Sequence, residues 1–256
     1  SRVVDGRPHW SRGARARYAD GTMDPEQDSP GAQDARPKTR FDFGPLALDY
    51  ERWYETEAGR LHDRVQKADV RELLPRPRAG ARLLDVGCGT GHWSRFFATF
   101  GYEVHGVDLS AEMIAVAESG HTPRCSFAVA DAARLPFPDA RFDVVAAMAV
   151  LEFVPGQEAA VREMARCTRP GGTLLIGTLN RLAELNRRRL AAGEQPYASA
   201  RLLAPDELEG LLSPYGTVRM RASSPEEADP GSRETTGAAS GPGRRPGAQA
   251  ALTGPF

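Results

Sequence analysis

Three glycines and three aspartates carry most of the chemistry that residue type and spacing make available in this chain. Gly87, Gly89 and Gly91 alternate in the stretch "LLDVGCGTGHW", directly after an apolar run, with Asp85 just ahead of them. Glycines so placed let the backbone bend tightly and let a ligand come within van der Waals distance of the main chain. Asp108 follows the loop by about 20 residues, the separation at which a carboxylate ending the next strand reaches ribose hydroxyls. Asp131 closes a third apolar run, where it is placed to accept from an adenine amino group. A dinucleotide site puts a glycine at the sixth loop position, which here is His92, and a phosphate loop continues into Gly-Lys-Ser/Thr, which does not follow. Three carboxylates repel a pyrophosphate and suit a cation. The ligand that fits them is a neutral adenosine joined to a positive charge, as in S-adenosylmethionine, and His92 speaks against an NAD-dependent oxidoreductase.

Positioning these residues requires strands that end together, and the pattern supplies them. The segments 81–86, 102–108, 125–131, 142–150 and 172–179 are short apolar runs that read as strands. Between them, "HWSRFFATF", "SAEMIAVAES" and "GQEAAVREMARCT" have helical spacing, with Ser110 as the N-cap of the second. This alternation predicts an α/β fold, Rossmann-like and doubly wound around a mainly parallel sheet. In such sheets ligands bind outside the carboxyl ends of the strands, where the winding reverses. Helices are also expected before Pro75, over "RLAELNRRRLA" and after Pro205, with a sixth strand near "TVRMRA".

The segment from about Phe41 to Ala222 resembles the class I S-adenosylmethionine-dependent methyltransferases, in particular the subgroup that includes the ubiquinone and menaquinone biosynthesis enzymes. The matching pieces are "LLDVGCGTG", "VHGVDLSAEMIAVA", "FAVADAARLPFPDARFDVVAAMAVLEFV" and "REMARCTRPGGTLLIGTLN", in the family's order and spacing. The resemblance implies that Gly87, Cys88 and Gly89 line the methionine part of the cofactor, Asp108 holds the ribose, Leu109 lies against the adenine and Met113 packs over its ring. It further implies that Asp131 and Ala132 meet the adenine edge, that Met148 and Ala149 floor the pocket, and that Tyr50 covers it. In the family the tyrosine is followed by aspartate; here it is followed by Glu51. The family also carries a seventh, antiparallel strand, for which nothing after "TVRMRASS" offers an obvious candidate.

Methyl transfer from a sulfonium is an in-line displacement that gains mostly from alignment, so no protein nucleophile or metal is expected. If the acceptor needs a general base, Glu152 in "VLEFVP" is the first candidate and His92 the second, each weighed against a bland reading, a solvated or capping carboxylate and a first-turn helix residue. Lys plus Arg number 33 against 34 acidic residues, and neither an Asn/Asp-Pro-Pro-aromatic nor a Pro-Cys motif follows the fourth strand, which disfavours nucleic acid as acceptor. The expected partner is a small-molecule methyl acceptor, with a non-catalytic S-adenosylmethionine-binding protein as the alternative. Cys88, Cys125 and Cys167 are odd in number and far apart, which fits reduced thiols and a cytoplasmic location. No apolar run of about 18 residues suggests a membrane span. Residues 1–40 and 224–256 read as a disordered leader and tail flanking one domain over 41–223, and Met23 reads as a possible natural start.

Overall fold

The computed structural model describes residues 39–222 and 248–254. Two helices, α1 (Tyr50–Glu55) and α2 (Glu57–Leu73), precede the alternating part of the chain. There follow β1 (Arg82–Val86), α3 (His92–Thr99), β2 (Glu103–Asp108), α4 (Ala111–Ser119), β3 (Cys125–Val129), β4 (Phe142–Met148), α5 (Gln157–Cys167) and β5 (Thr168–Leu179). The chain continues through α6 (Glu184–Ala191), α7 (Pro205–Leu212), β6 (Thr217–Ala222) and β7 (Ala248–Gly254). The sheet order is β3-β2-β1-β4-β5-β7-β6, and every strand pairing is parallel. The winding reverses between β1 and β4, so the turn after β1 lies where an open sheet of this kind leaves its crevice.

Successive strand residues point to opposite faces, and both faces are covered. Leu83, Val144 and Ala146 pack under α2 and α3 with Val70, Trp93, Phe96 and Phe97. Their neighbours Leu84, Val145 and Ala147 pack on the other face with Val161 and Met164 of α5 and Leu208 and Leu212 of α7. Leu83, Leu84 and Phe97 are fully buried, each contributing roughly 1.5–3 kcal/mol by removal from water. The central strands are thereby held on two sides, and their carboxyl ends form a fixed rim.

Two expectations are corrected here. Residues 224–256 read as a tail without structure and without an obvious seventh strand, yet Ala248–Gly254 pairs with both β5 and β6. It runs parallel to them, where the family resemblance implied antiparallel. Composition undervalued this segment because pairing with an open strand edge uses backbone groups and needs no large side chain. At the other end, Thr39 and Arg40 fall within the expected leader but are placed, with the Arg40 N–H donating to the Phe153 carbonyl at 2.9 Å. The rest of the leader, Met23 and the tail over 223–247 lie outside the described residues.

Candidate functional site

The loop after β1 is shaped by a position that only glycine can fill. Gly87 has φ +69°, and a Cβ there would lie 2.3 Å from a Val150 methyl. The N–H groups of Gly87 and Cys88 both donate to the Val107 carbonyl, at 2.7 and 2.9 Å, which ties the loop to β2. Gly89 also has positive φ, but the space beside it is open, with the Met113 sulfur as nearest atom at 4.0 Å. The loop therefore presents bare backbone to a cavity of about 480 Å³.

Strand ends supply the polar rim of that cavity. Asp108 Oδ2 accepts from the Gly89 N–H at 2.9 Å and Oδ1 from the Ser110 N–H at 2.9 Å. Burial raises its pKa, against the lowering effect of those N–H groups. Because a carboxylate has about four lone-pair sites, Asp108 keeps capacity to accept from a ligand hydroxyl as well. Asp131 Oδ1 accepts from the Ala133 N–H at 2.8 Å, which fixes its side chain in a turn. Ala149, at the end of β4, holds a left-handed φ of +54°, strain of the kind that clusters at ligand sites. Tyr50 closes one side; burial pushes its hydroxyl up to about 12.

Of the residues expected from the sequence, Tyr50, Gly87, Gly89, Asp108, Leu109, Met113, Asp131, Ala132, Met148 and Ala149 all line this cavity. Three do not. Asp85 is 1% exposed and lies beneath the loop, accepting from the Ser94 hydroxyl at 2.6 Å. Burial pushes its carboxyl up to about 7. Cys88 turns away into a cluster with Ile114, Ala117 and Phe127, so its side chain packs rather than binds. Glu152, the first candidate base, is fully buried outside the cavity lining. Its Oε1 accepts from the Thr178 hydroxyl at 2.8 Å and from the Leu179 N–H, so it braces β5. Neither a catalytic nor a solvated reading of Glu152 matches that place.

The cavity also has a wall that the sequence reading missed. Phe41, Phe43 and Phe153 line it, with ring centroids 4.7 Å apart for Phe41 and Phe43 and 4.9 Å for Phe43 and Phe153. The alternating aromatics of "FDFGP" were the available signal, and Phe153 stood next to the residue chosen for its charge. Among the described lining residues the charged side chains are Asp42, Asp108, Glu112 and Asp131, all acidic. A sulfonium fits that field and a pyrophosphate does not. The open backbone at Gly89 and the free lone pairs of Asp108 fit an adenosine ligand in the same way. His92 lies behind the loop: its Nε2 is 2.6 Å from Asp63 Oδ1, and its ring stacks on Tyr54 at 3.8 Å.

The fold agrees with what the chain is similar to. Residues 84–176 match the family described as methyltransferase domain. A malonyl-[acyl-carrier protein] O-methyltransferase of Enterobacter lignolyticus is 35% identical over 67% of this chain, which spans 65% of that relative's length. A ubiquinone biosynthesis O-methyltransferase of Burkholderia multivorans is 38% identical, over 66% of this chain and 78% of the relative. A solved S-adenosylmethionine-dependent methyltransferase of Thermotoga maritima, described as a possible histamine N-methyltransferase, superposes with a TM-score of 0.56 at 27% identity, covering 68% of this chain and 79% of that one. The chain belongs to the class I S-adenosylmethionine-dependent methyltransferases.

Proposed function

We propose that this protein transfers the methyl group of S-adenosylmethionine to a small-molecule acceptor, and that cofactor and acceptor share the cavity at the β1–β4 crevice. The observation that carries this reading is the meeting, in one cavity, of side-chain-free backbone at Gly89, acidic strand ends at Asp108 and Asp131, and the aromatic wall of Phe41, Phe43 and Phe153. When bound, the sulfonium supplies an activated methyl group that passes in line to the acceptor as the bond to sulfur breaks. Asp108 would accept from the ribose hydroxyls, Leu109 and Met113 would flank the adenine, and Asp131 with Ala132 would meet its edge. Met148 and Ala149 form the floor. The three phenylalanines pack against an apolar or aromatic part of the acceptor, holding its nucleophile toward the methyl group, and this alignment is the main source of rate. With Glu152 sealed under β5, the reading uses no general base from that position.

The acidic lining and the near-neutral net charge of -1 favour a small acceptor over nucleic acid. A cytoplasmic setting belongs to the same reading and is supported by three cysteines that are all free. Among the described residues no helix is long and apolar enough to cross a membrane.

Calorimetric titration with S-adenosylhomocysteine, followed by turnover of a labelled methyl group against a metabolite extract, tests the reading. Saturable binding and a labelled small-molecule product are expected; binding without any labelled product would leave a cofactor-binding protein and overturn the proposed activity. Asp108→Ala should weaken the binding by about 1–3 kcal/mol, the range for removing a hydrogen bond to a charged group. Unchanged affinity in a folded variant would contradict the role given to Asp108.

A further inference from the structure

Directly behind the glycine loop lies a set of charged contacts that the methyl-transfer geometry does not use. Glu51 Oε1 accepts from the Thr90 hydroxyl and, at 2.7 Å, from Arg95 Nη2. The other arm of the same guanidinium, Nη1, donates to the Thr90 carbonyl at 2.8 Å. Thr90 is thus gripped at both its hydroxyl and its carbonyl, and it sits between Gly89, whose N–H holds Asp108, and Gly91, which opens α3. The residue before Glu51 is Tyr50, which lines the cavity.

No residue of helix α1 is fully buried, and Tyr50, Glu51 and Tyr54 are half-buried. Its attachment is polar and aromatic. His92 Nδ1 lies 3.7 Å from Glu51 Oε2, while His92 Nε2 is 2.6 Å from Asp63 of α2, which also pairs with Lys67 at 2.7 Å. Tyr54 of α1 stacks on the His92 ring. Burial pushes the Glu51 carboxyl up, but proximity to His92, Thr90 and Arg95 outweighs it and holds the group at about 2, so it is charged at any physiological pH. Glu51 and Arg95 are each about one-third exposed, and ion pairs so placed are individually weak. Such a fastening suits a cap that must open for each exchange of cofactor.

We propose that Glu51 is a positioning residue for cofactor binding: through Thr90 and Arg95 it couples the seating of α1, and with it Tyr50, to the shape of the glycine loop, so that cap closure and cofactor binding are one cooperative event. The proposal rests on the cofactor reading above and adds to it a residue that need not touch the cofactor. In this chain the position after the tyrosine carries glutamate, whose longer side chain spans the distance from α1 to both Thr90 and Arg95.

The test is calorimetric titration of the full chain with S-adenosylhomocysteine, joined to limited proteolysis of the 39–74 segment. Glu51→Ala and Thr90→Val should each weaken affinity about tenfold, and the double variant should be no weaker than the worse single variant, because both remove the same contact. Thr90→Ser, which keeps the hydroxyl, should restore the affinity lost in Thr90→Val. The ligand should slow cleavage within 39–74 in the wild type but not in Glu51→Ala. Should the buried Thr90→Val substitution fail to fold, Arg95→Met at its partly exposed position replaces it in the cycle with the same expectation. Wild-type protein that fails to bind S-adenosylhomocysteine overturns the cofactor reading itself. Wild-type binding with Glu51→Ala within twofold of it, additive losses in the double variant, or equal ligand protection in both proteins overturns the coupling and leaves the cofactor reading intact.

Discussion

Asp85 is the residue whose chemistry differs most from what its place in the motif suggests. It stands at the end of β1, two residues from the glycine loop, but the Ser94 hydroxyl holds it beneath that loop and away from the cavity. Burial, opposed by the Ser94 hydrogen bond and reinforced by the charge of Asp108, raises its pKa from 3.8 to about 7. The folded state therefore binds a proton that the unfolded state releases over that interval. The contribution to stability is fully present below about pH 4 and is lost progressively as pH rises toward 7. Asp85→Asn keeps an acceptor for Ser94 but cannot ionise. The melting temperature of this variant minus that of the wild type should therefore increase from pH 5 to pH 8. A difference that stays constant across the interval would show that Asp85 is not the titrating group. Glu152 teaches a similar lesson: a carboxylate next to a strand end in the sequence turned out to brace β5, and its apolar neighbour Phe153 took the place in the cavity. Sequence gives the address of a residue to within a turn, but which of two adjacent side chains faces the ligand depends on the local backbone angles.

At the scale of elements, most of what positions the site was legible. The short apolar runs became β1 to β5 and the spaced ones α3 to α5, because periodicities of two and 3.6 follow directly from which residues must face a core. Ser110 caps α4 as expected, its hydroxyl accepting from the Met113 N–H at 3.1 Å. Ser110→Ala should cost about 1 kcal/mol of stability, read as a lowered denaturant midpoint at unchanged slope, and an unaltered midpoint would remove the cap from the account. Within α1, Tyr50, Trp53 and Tyr54 form an aromatic stripe that is not part of the core: no residue of the helix is fully buried, Trp53 is 44% exposed and Tyr50 lies in the cavity wall. That outcome depends on which side chains of other elements it meets, above all His92 and Thr90, and no pattern within α1 contains it. β5 begins earlier than the apolar run, at Thr168, because the strand passes through Pro170, Gly171 and Gly172 with a register shift against β4. Proline and glycine read as a turn in the sequence, whereas here they form an irregular stretch of a continuing strand.

The whole molecule is a parallel sheet whose last two strands are the least secured. Among the described strands β6 pairs with β7 alone, and its residues are mostly exposed. Its other described attachments are Val218, which packs against the core, and Arg221, which pairs with Asp69 and, at 2.5 Å, with Glu72 of α2. The same helix that helps to hold the glycine loop through Asp63 thus also anchors the far edge of the sheet. No local pattern foretold β7, since its sequence is small and weakly apolar and its partners lie far away along the chain. Removing it tests whether the edge matters. A chain ending at Ala222 would expose the backbone groups of Leu175–Leu179 along β5, where β7 now pairs, and would leave β6 held by Val218 and the Arg221 ion pairs. An unpaired edge of that length is a template for another chain. For a domain of this size about 2–4 °C of melting temperature corresponds to each kcal/mol, so losing two strand interfaces should lower the melting point by roughly 5 °C or more. Size-exclusion chromatography should show association that grows with protein concentration. S-adenosylhomocysteine should still bind the truncated chain, because the glycine loop, Asp108 and Asp131 lie on the opposite half of the sheet. A truncated protein that melts with the full chain and elutes as a single concentration-independent species would mean that β7 contributes nothing to the stability of the sheet.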